Sequence, residues 1–180
     1  MKKNAVVRYS TGSKILHWLI AVIVIIMLSV SFFLEELPKQ YQPTAFFIHK
    51  SFGLTVLFLM VIRLFWISYA GKPDLPLTVP FWQKTLARSV QFILYLFLFA
   101  MPISGWIMSV AANKPPSFFG LFQANLPIEP NKALAQFMNQ LHELFAWILI
   151  VLIALHLAGA LKHYFIDKDK VLQSMLPERH

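Results

Sequence analysis

Among the residues of this 180-residue chain, the six histidines have the widest chemical repertoire. A neutral imidazole can bind a transition metal, and one that titrates near neutrality can move a proton. His142 and His156 stand fourteen residues apart on one otherwise apolar stretch, Leu141 to Tyr164. On a helix that spacing sets the two rings about 21 Å apart along the axis and within about 40° of the same face. His163 follows His156 by seven residues, about two more turns on nearly the same face. His17 and His49 lie in two earlier apolar stretches, and His180 lies in the tail and has no assigned role. Two ligand-type nitrogens at two depths of one helix need partners at matching depths.

The elements that must supply those partners are membrane helices. Hydrophobic residues make up 58% of the chain and charged ones 13%, well below the charged share of a soluble domain. Runs long enough to cross the hydrocarbon core fall at about 14–34, 44–69, 86–111 and 136–164. The connectors are 9, 16 and 24 residues, too short to hide a soluble domain. The reading is an all-α, integral membrane four-helix bundle forming one domain over residues 1–180. Basic residues ahead of an apolar run ending near Ser29-Val30-Ser31 imitate a signal peptide, but the run from Ile15 to Leu34 is too long for a signal core and contains His17 and Trp18. Ser10-Thr11-Gly12-Ser13 should cap the first helix, Pro43-Thr44 should open the second, and Pro102 with Gly105 should kink the third.

Charge orients the bundle. If both termini share a side, twelve of the 16 basic residues fall there, leaving Lys39, Lys50, Lys114 and Lys132 opposite. That bias predicts cytoplasmic N- and C-termini in a multi-pass protein embedded in membrane lipid. The net charge of +8 follows this topology and is not gathered into one basic domain, so nucleic acid is not an expected partner. The absence of cysteine excludes disulfides, thiolate-ligated iron–sulfur clusters and covalent c-type haem.

With that topology the histidines sort by depth, His17 with His156 near the cytoplasm and His49 with His142 near the outside. A single membrane histidine is often just a hydrogen-bonded core residue, whereas four matched in depth suit the axial positions of low-spin b-type haem iron. Gly53, Ala158, Gly159 and Ala160 lie close to these positions and would leave room for a flat group, although small residues equally serve plain helix packing. Lys50 and Arg63, with only twelve uncharged residues between them on helix 2, either snorkel or meet cofactor carboxylates; Lys14 is a further candidate. A cation transporter or zinc site would also use histidines, but seven of the eight acids lie in loops or tails and only Glu143 stands near a helix. The proline-rich connector 71–80 reads as a linker. The aromatic connector after Lys114 reads as either a cap or a lid over the outer end.

As a set, Ile15-Leu16-His17-Trp18, Ile48-His49-Lys50-Ser51-Phe52-Gly53 with Arg63, Phe119-Gly120-Leu121, Leu141-His142-Glu143 and Leu155-His156 followed by Lys162-His163-Tyr164-Phe165 resemble the bacterial cytochrome b561 family of di-haem membrane proteins. The resemblance covers nearly the whole chain. It implies two haem b groups in the bacterial inner membrane, with His17 and His156 on the cytoplasmic-side iron and His49 and His142 on the outer one. Some members resemble enzymes that oxidise superoxide at the periplasmic face and pass the electrons to ubiquinone, while related, generally longer subunits anchor hydrogenases or other periplasmic dehydrogenases. The compact chain favours the first type, a superoxide:quinone oxidoreductase, over the alternative of an electron-carrier or anchor subunit. The four outer lysines could focus superoxide, and His163 could bond a quinone carbonyl or relay its proton.

Overall fold

A computed structural model describes residues 8–73 and 79–176. Lys2, Lys3, residues 74–78 of the 71–80 linker and His180 lie outside the described residues. Four long helices, α1 (Thr11–Ser31), α2 (Gln42–Ala70), α3 (Phe81–Ala111) and α4 (Lys132–Lys162), are each long and apolar enough to span a membrane. Their large exposed side chains, such as Phe58, Phe65 and Val151, present the apolar exterior that lipid requires.

The helix boundaries follow local chemistry. Ser10 caps α1, its Oγ accepting from Ser13 N at 3.3 Å. The apolar run to Leu34 finishes beyond α1 in tight turns, with Phe33 N donating to Val30 O and Leu34 N to Ser31 O. Pro43 sits in the first turn of α2, where its missing N–H costs nothing. α3 begins at Phe81, five residues before the expected 86, because Lys84 and Arg88 are carried on its first turns; it continues through Pro102 to Ala111. α4 begins at Lys132, with the Asn131 side chain accepting from Leu134 N, and Asn131 N donates to Ala111 O to fasten its start to the end of α3. A π-helical turn, His163–Asp167, prolongs α4.

Packing is uneven. α3 and α4 form the most extensive contact among the long helices, α1 with α2 and α2 with α3 come next, and among the described residues α4 has at most sparse backbone packing against α1 or α2. One buried cluster joins Ile20 and Val24 of α1 to Val56 and Met60 of α2; a second joins Leu94 of α3 to Leu149 and Leu152 of α4. Polar ties hold the terminal end, where α1 starts and α4 finishes. Arg63 Nη1 donates to Ser13 O and its Nε to Tyr95 Oη, both at 2.9 Å, while Trp66 Nε1 donates to Ser10 Oγ. The Trp66 ring lies over Gly12 so closely that a Cβ there would stand 2.5 Å from it.

The connector between α3 and α4 carries a short antiparallel hairpin, β1 (Ser117–Phe118) and β2 (Phe122–Gln123). Its turn places Phe119 and Gly120 at positive φ. Ser51 Oγ, fully buried on α2, donates to Ser117 O and accepts from Phe119 N, and Trp106 Nε1 donates to Ala124 O. The hairpin is therefore a cover pinned to α2 and α3 at the distal end.

Candidate functional site

The four spanning-segment histidines meet across the division between α1 and α2 on one side and α4 on the other. His17 of α1 faces His156 of α4 with ring centroids 6.2 Å apart and planes at 68°. His49 of α2 faces His142 of α4 at 6.3 Å and 76°. A metal–imidazole bond of about 2.0 Å, with the bonded nitrogen about 1.1 Å from its own ring centre, places two trans imidazoles about 6.2 Å apart. Both pairs have that separation. Direct hydrogen bonding between the rings would draw their centres closer, and no such bond joins either pair among the described residues.

α3 carries no histidine, yet it orients one. His142 Nδ1 lies 3.0 Å from Met101 O and 3.0 Å from Ser104 Oγ, and Ser104 Oγ donates to Met101 O at 2.8 Å. A backbone carbonyl only accepts, and the hydroxyl proton is already given to it, so the proton in this triangle sits on Nδ1. That tautomer leaves Nε2 with its lone pair free for a metal, the usual arrangement for a ligating histidine. Gly105 makes the approach possible: a Cβ there would stand 2.9 Å from His142 Cε1 and 3.2 Å from Nδ1.

A cavity of about 520 Å³ opens beside this distal pair, lined by His49, His142, Gly53, Gly105, Lys50 and Phe46 among others. Its walls are mainly apolar, with a few polar groups at the rim, as suits a large planar ligand. The neutral donor set, the ring separations and the glycine-made space fit axially ligated haem.

The two cations read as cofactor partners are already engaged. Arg63 is buried, 7% exposed, between Ser13 O and Tyr95 Oη, and its charge acts on both His17 and His156. It does not snorkel at a helix end. Lys14 is likewise buried, and among the described residues neither cation meets a carboxylate. Lys50 lines the distal cavity while its Nζ donates to Lys114 O at 3.0 Å.

His163 opens the π-helical turn and is buried. Its Nδ1 lies 2.7 Å from Asp169 Oδ2 and 3.2 Å from Asp167 Oδ2. Asp169 is itself fixed: Oδ1 accepts from Val171 N, and its own N–H donates to His163 O across Lys168, which adopts a left-handed conformation. Lys162 neutralises Asp167 and also reaches Gln83 of α3. Trp18 edges His17 at 5.4 Å and donates from Nε1 to Met175 O, so the segment after α4 is fastened to α1 beside the terminal pair.

Every histidine pairing read from depth is thus a contact in the structure. The sequence reading missed Met101, Ser104, Asp169 and Met175, and took Gly105 only as a kink partner. A serine and a glycine one turn beyond Pro102 were the available signal, but it does not say which neighbour they face.

Comparison with known proteins places this constellation. The family profile described as prokaryotic cytochrome b561 matches residues 8–178. "Cytochrome b561 homolog 2" of Escherichia coli (strain K12) is 38% identical over 96% of this chain and 93% of its own length. "Probable superoxide oxidase CybB" of Yersinia pestis is 31% identical over 96% and 97%. "Cytochrome b561 homolog 1" of Escherichia coli (strain K12) is 29% identical over 96% and 98%.

Proposed function

Because this chain belongs to the prokaryotic cytochrome b561 family, bacterial membrane proteins of electron transfer that use b-type haem, we propose that it holds two haem b groups and passes electrons through them from periplasmic superoxide to ubiquinone. His17 and His156 ligate the haem near the cytoplasmic face of the inner membrane, and His49 and His142 the haem near the periplasmic face. The observation that carries this reading is the matched separation of the two imidazole pairs, 6.2 and 6.3 Å. The 31% identical Yersinia protein, named a probable superoxide oxidase, supports the choice of donor.

When bound, the haems supply one-electron storage and transfer with no bond made to the substrate. The remaining work falls to the chain. Met101 O and Ser104 hold the His142 ring and Gly105 leaves it space, while Gly53 lines the cavity beside it. Arg63 and Lys14, buried cations that meet no carboxylate among the described residues, offer charge to the acidic edge of the inner group, because a buried charge is costly unless paired. Lys50 serves the outer rim. Two superoxide anions each give up one electron and leave as dioxygen, while ubiquinone takes two electrons and two protons to become ubiquinol. His163, its Nδ1–H given to Asp169, takes a proton from water at Nε2 and then hands that proton to the quinone oxygen.

A second reading, an electron carrier or anchor subunit serving a periplasmic dehydrogenase or hydrogenase, is favoured by one observation. On the outer side Lys39, Lys50, Lys114 and Lys132 are matched by Glu35, Glu36, Glu129 and Glu143, so that face has no net positive field to gather an anion. Anaerobic stopped-flow mixing with superoxide separates the two. Haem reduction much faster than spontaneous dismutation, followed by ubiquinol formation, supports the oxidase. Absence of such reduction, with a redox protein co-purifying, supports the carrier.

A further inference from the structure

The two histidine pairs differ in how their non-facing nitrogens are held. His142 Nδ1 has two oxygens at 3.0 Å, both from α3. Among the described residues, no side-chain hydrogen bond reaches His17, His49 or His156. Ser104 is 4% exposed, so water does not compete for this triangle.

We propose that α3, the helix without a histidine, sets the redox order of the two centres: its oxygens on His142 Nδ1–H hold the outer centre at the lower midpoint potential. The inference rests on the two-haem reading above. An N–H given to a carbonyl leaves more electron density on the ring and makes the opposite nitrogen a stronger donor. A stronger donor stabilises the oxidised iron more than the reduced one, which lowers the potential. At the inner pair no such push exists among the described residues. There the buried Arg63 guanidinium, whose charge acts on both His17 and His156, favours the reduced state, since a cation in a low-dielectric surrounding acts strongly on a nearby charge change. At the outer pair the corresponding cation, Lys50, is only half-buried and bonded to the Lys114 carbonyl. Acidic groups of the haem itself occur on both centres and do not distinguish them. Electrons arriving outside therefore run downhill toward the inner centre.

The test is a potentiometric measurement of the purified two-haem protein, read by its haem absorbance, for the native chain, Ser104→Ala and Ser104→Thr. Ser104→Ala removes one of the two acceptors from Nδ1–H. The lower of the two midpoints should rise, the higher should stay, and Ser104→Thr, which keeps the hydroxyl, should restore the native lower value. A shift confined to the higher midpoint, a fall of the lower one, or no movement overturns the inference. A measurement on the native chain does not depend on the variants folding: with methionine labelled at its carbonyl carbon, the redox-difference infrared spectrum should show a labelled carbonyl band moving at the lower-potential step. If that band moves only at the higher-potential step, or at neither, the assignment is wrong. A preparation with fewer than two haems per chain would instead overturn the reading beneath it.

Discussion

Replacing Gly105 by alanine places a methyl group 2.9 Å from His142 Cε1, about 0.6 Å inside the roughly 3.5 Å at which carbon atoms pack well. The methyl is not flexible and neither is its target. Met101, Ser104 and Gly105 all belong to α3, so a ring that backs away from the methyl also backs away from both oxygens now 3.0 Å from Nδ1. A retreat of about 0.6 Å lengthens those contacts to about 3.6 Å, beyond hydrogen-bonding range. Overpacking of this kind costs about 1–3 kcal/mol, equivalent to roughly 5- to 150-fold in an equilibrium constant. The cost falls on the outer group, because His17 and His156 touch none of these atoms. The assay is haem per chain by pyridine haemochrome, before and after challenge with an excess of an apo-haem protein. Gly105→Ala should surrender its outer haem at least five times more readily than the native chain while retaining the inner one. Equal retention of both haems with an unchanged absorbance spectrum would refute the argument that Gly105 exists to admit the His142 ring.

Three further outcomes follow from the same geometry. His142→Ala should lose chiefly the outer haem and His156→Ala chiefly the inner one, measured by haem count and low-temperature absorbance; loss of the same centre from both variants would contradict the pairing. The ring planes cross at 68° and 76°, so the oxidised protein should give low-field, strongly anisotropic low-spin signals in electron paramagnetic resonance at both centres, and a spectrum of the ordinary rhombic type would show that the rings turn parallel when ligated. His163→Gln should slow ubiquinol formation about 100-fold, the low end of what a positioned acid–base group contributes, while leaving haem content and reduction by the outer donor unchanged; unchanged ubiquinol formation would remove His163 from the proton path.

Much of the site was legible because its signals are one-dimensional. A fourteen-residue interval on a helix fixes both depth and azimuth, and the distribution of basic residues sorts the remaining histidines by end. These two rules paired His17 with His156 and His49 with His142 before any contact was known. Arg63 was harder. Its position near a helix end suited a snorkelling side chain, and only the carbonyl of Ser13 and the hydroxyl of Tyr95, brought from two other helices, explain why it turns inward. The outer connector was read as aromatic and irregular, and the two-residue strands Ser117–Phe118 and Phe122–Gln123 are too short to carry a period.

The sequence by itself determined the four spanning helices, which histidines face each other and the family, since each depends on composition, spacing or short motifs that survive without knowledge of neighbours. The tertiary structure alone decided which groups stand behind those ligands. Ser104, Met101 and Gly105 matter through the direction α3 faces, and Asp169 matters through a left-handed turn at Lys168 that returns it to His163. Hydrogen-bond partners across helices depend on azimuth and register between separate elements, and no local pattern encodes either. That is why the helix with no histidine, the least informative in the sequence, proves to hold the His142 ring in place.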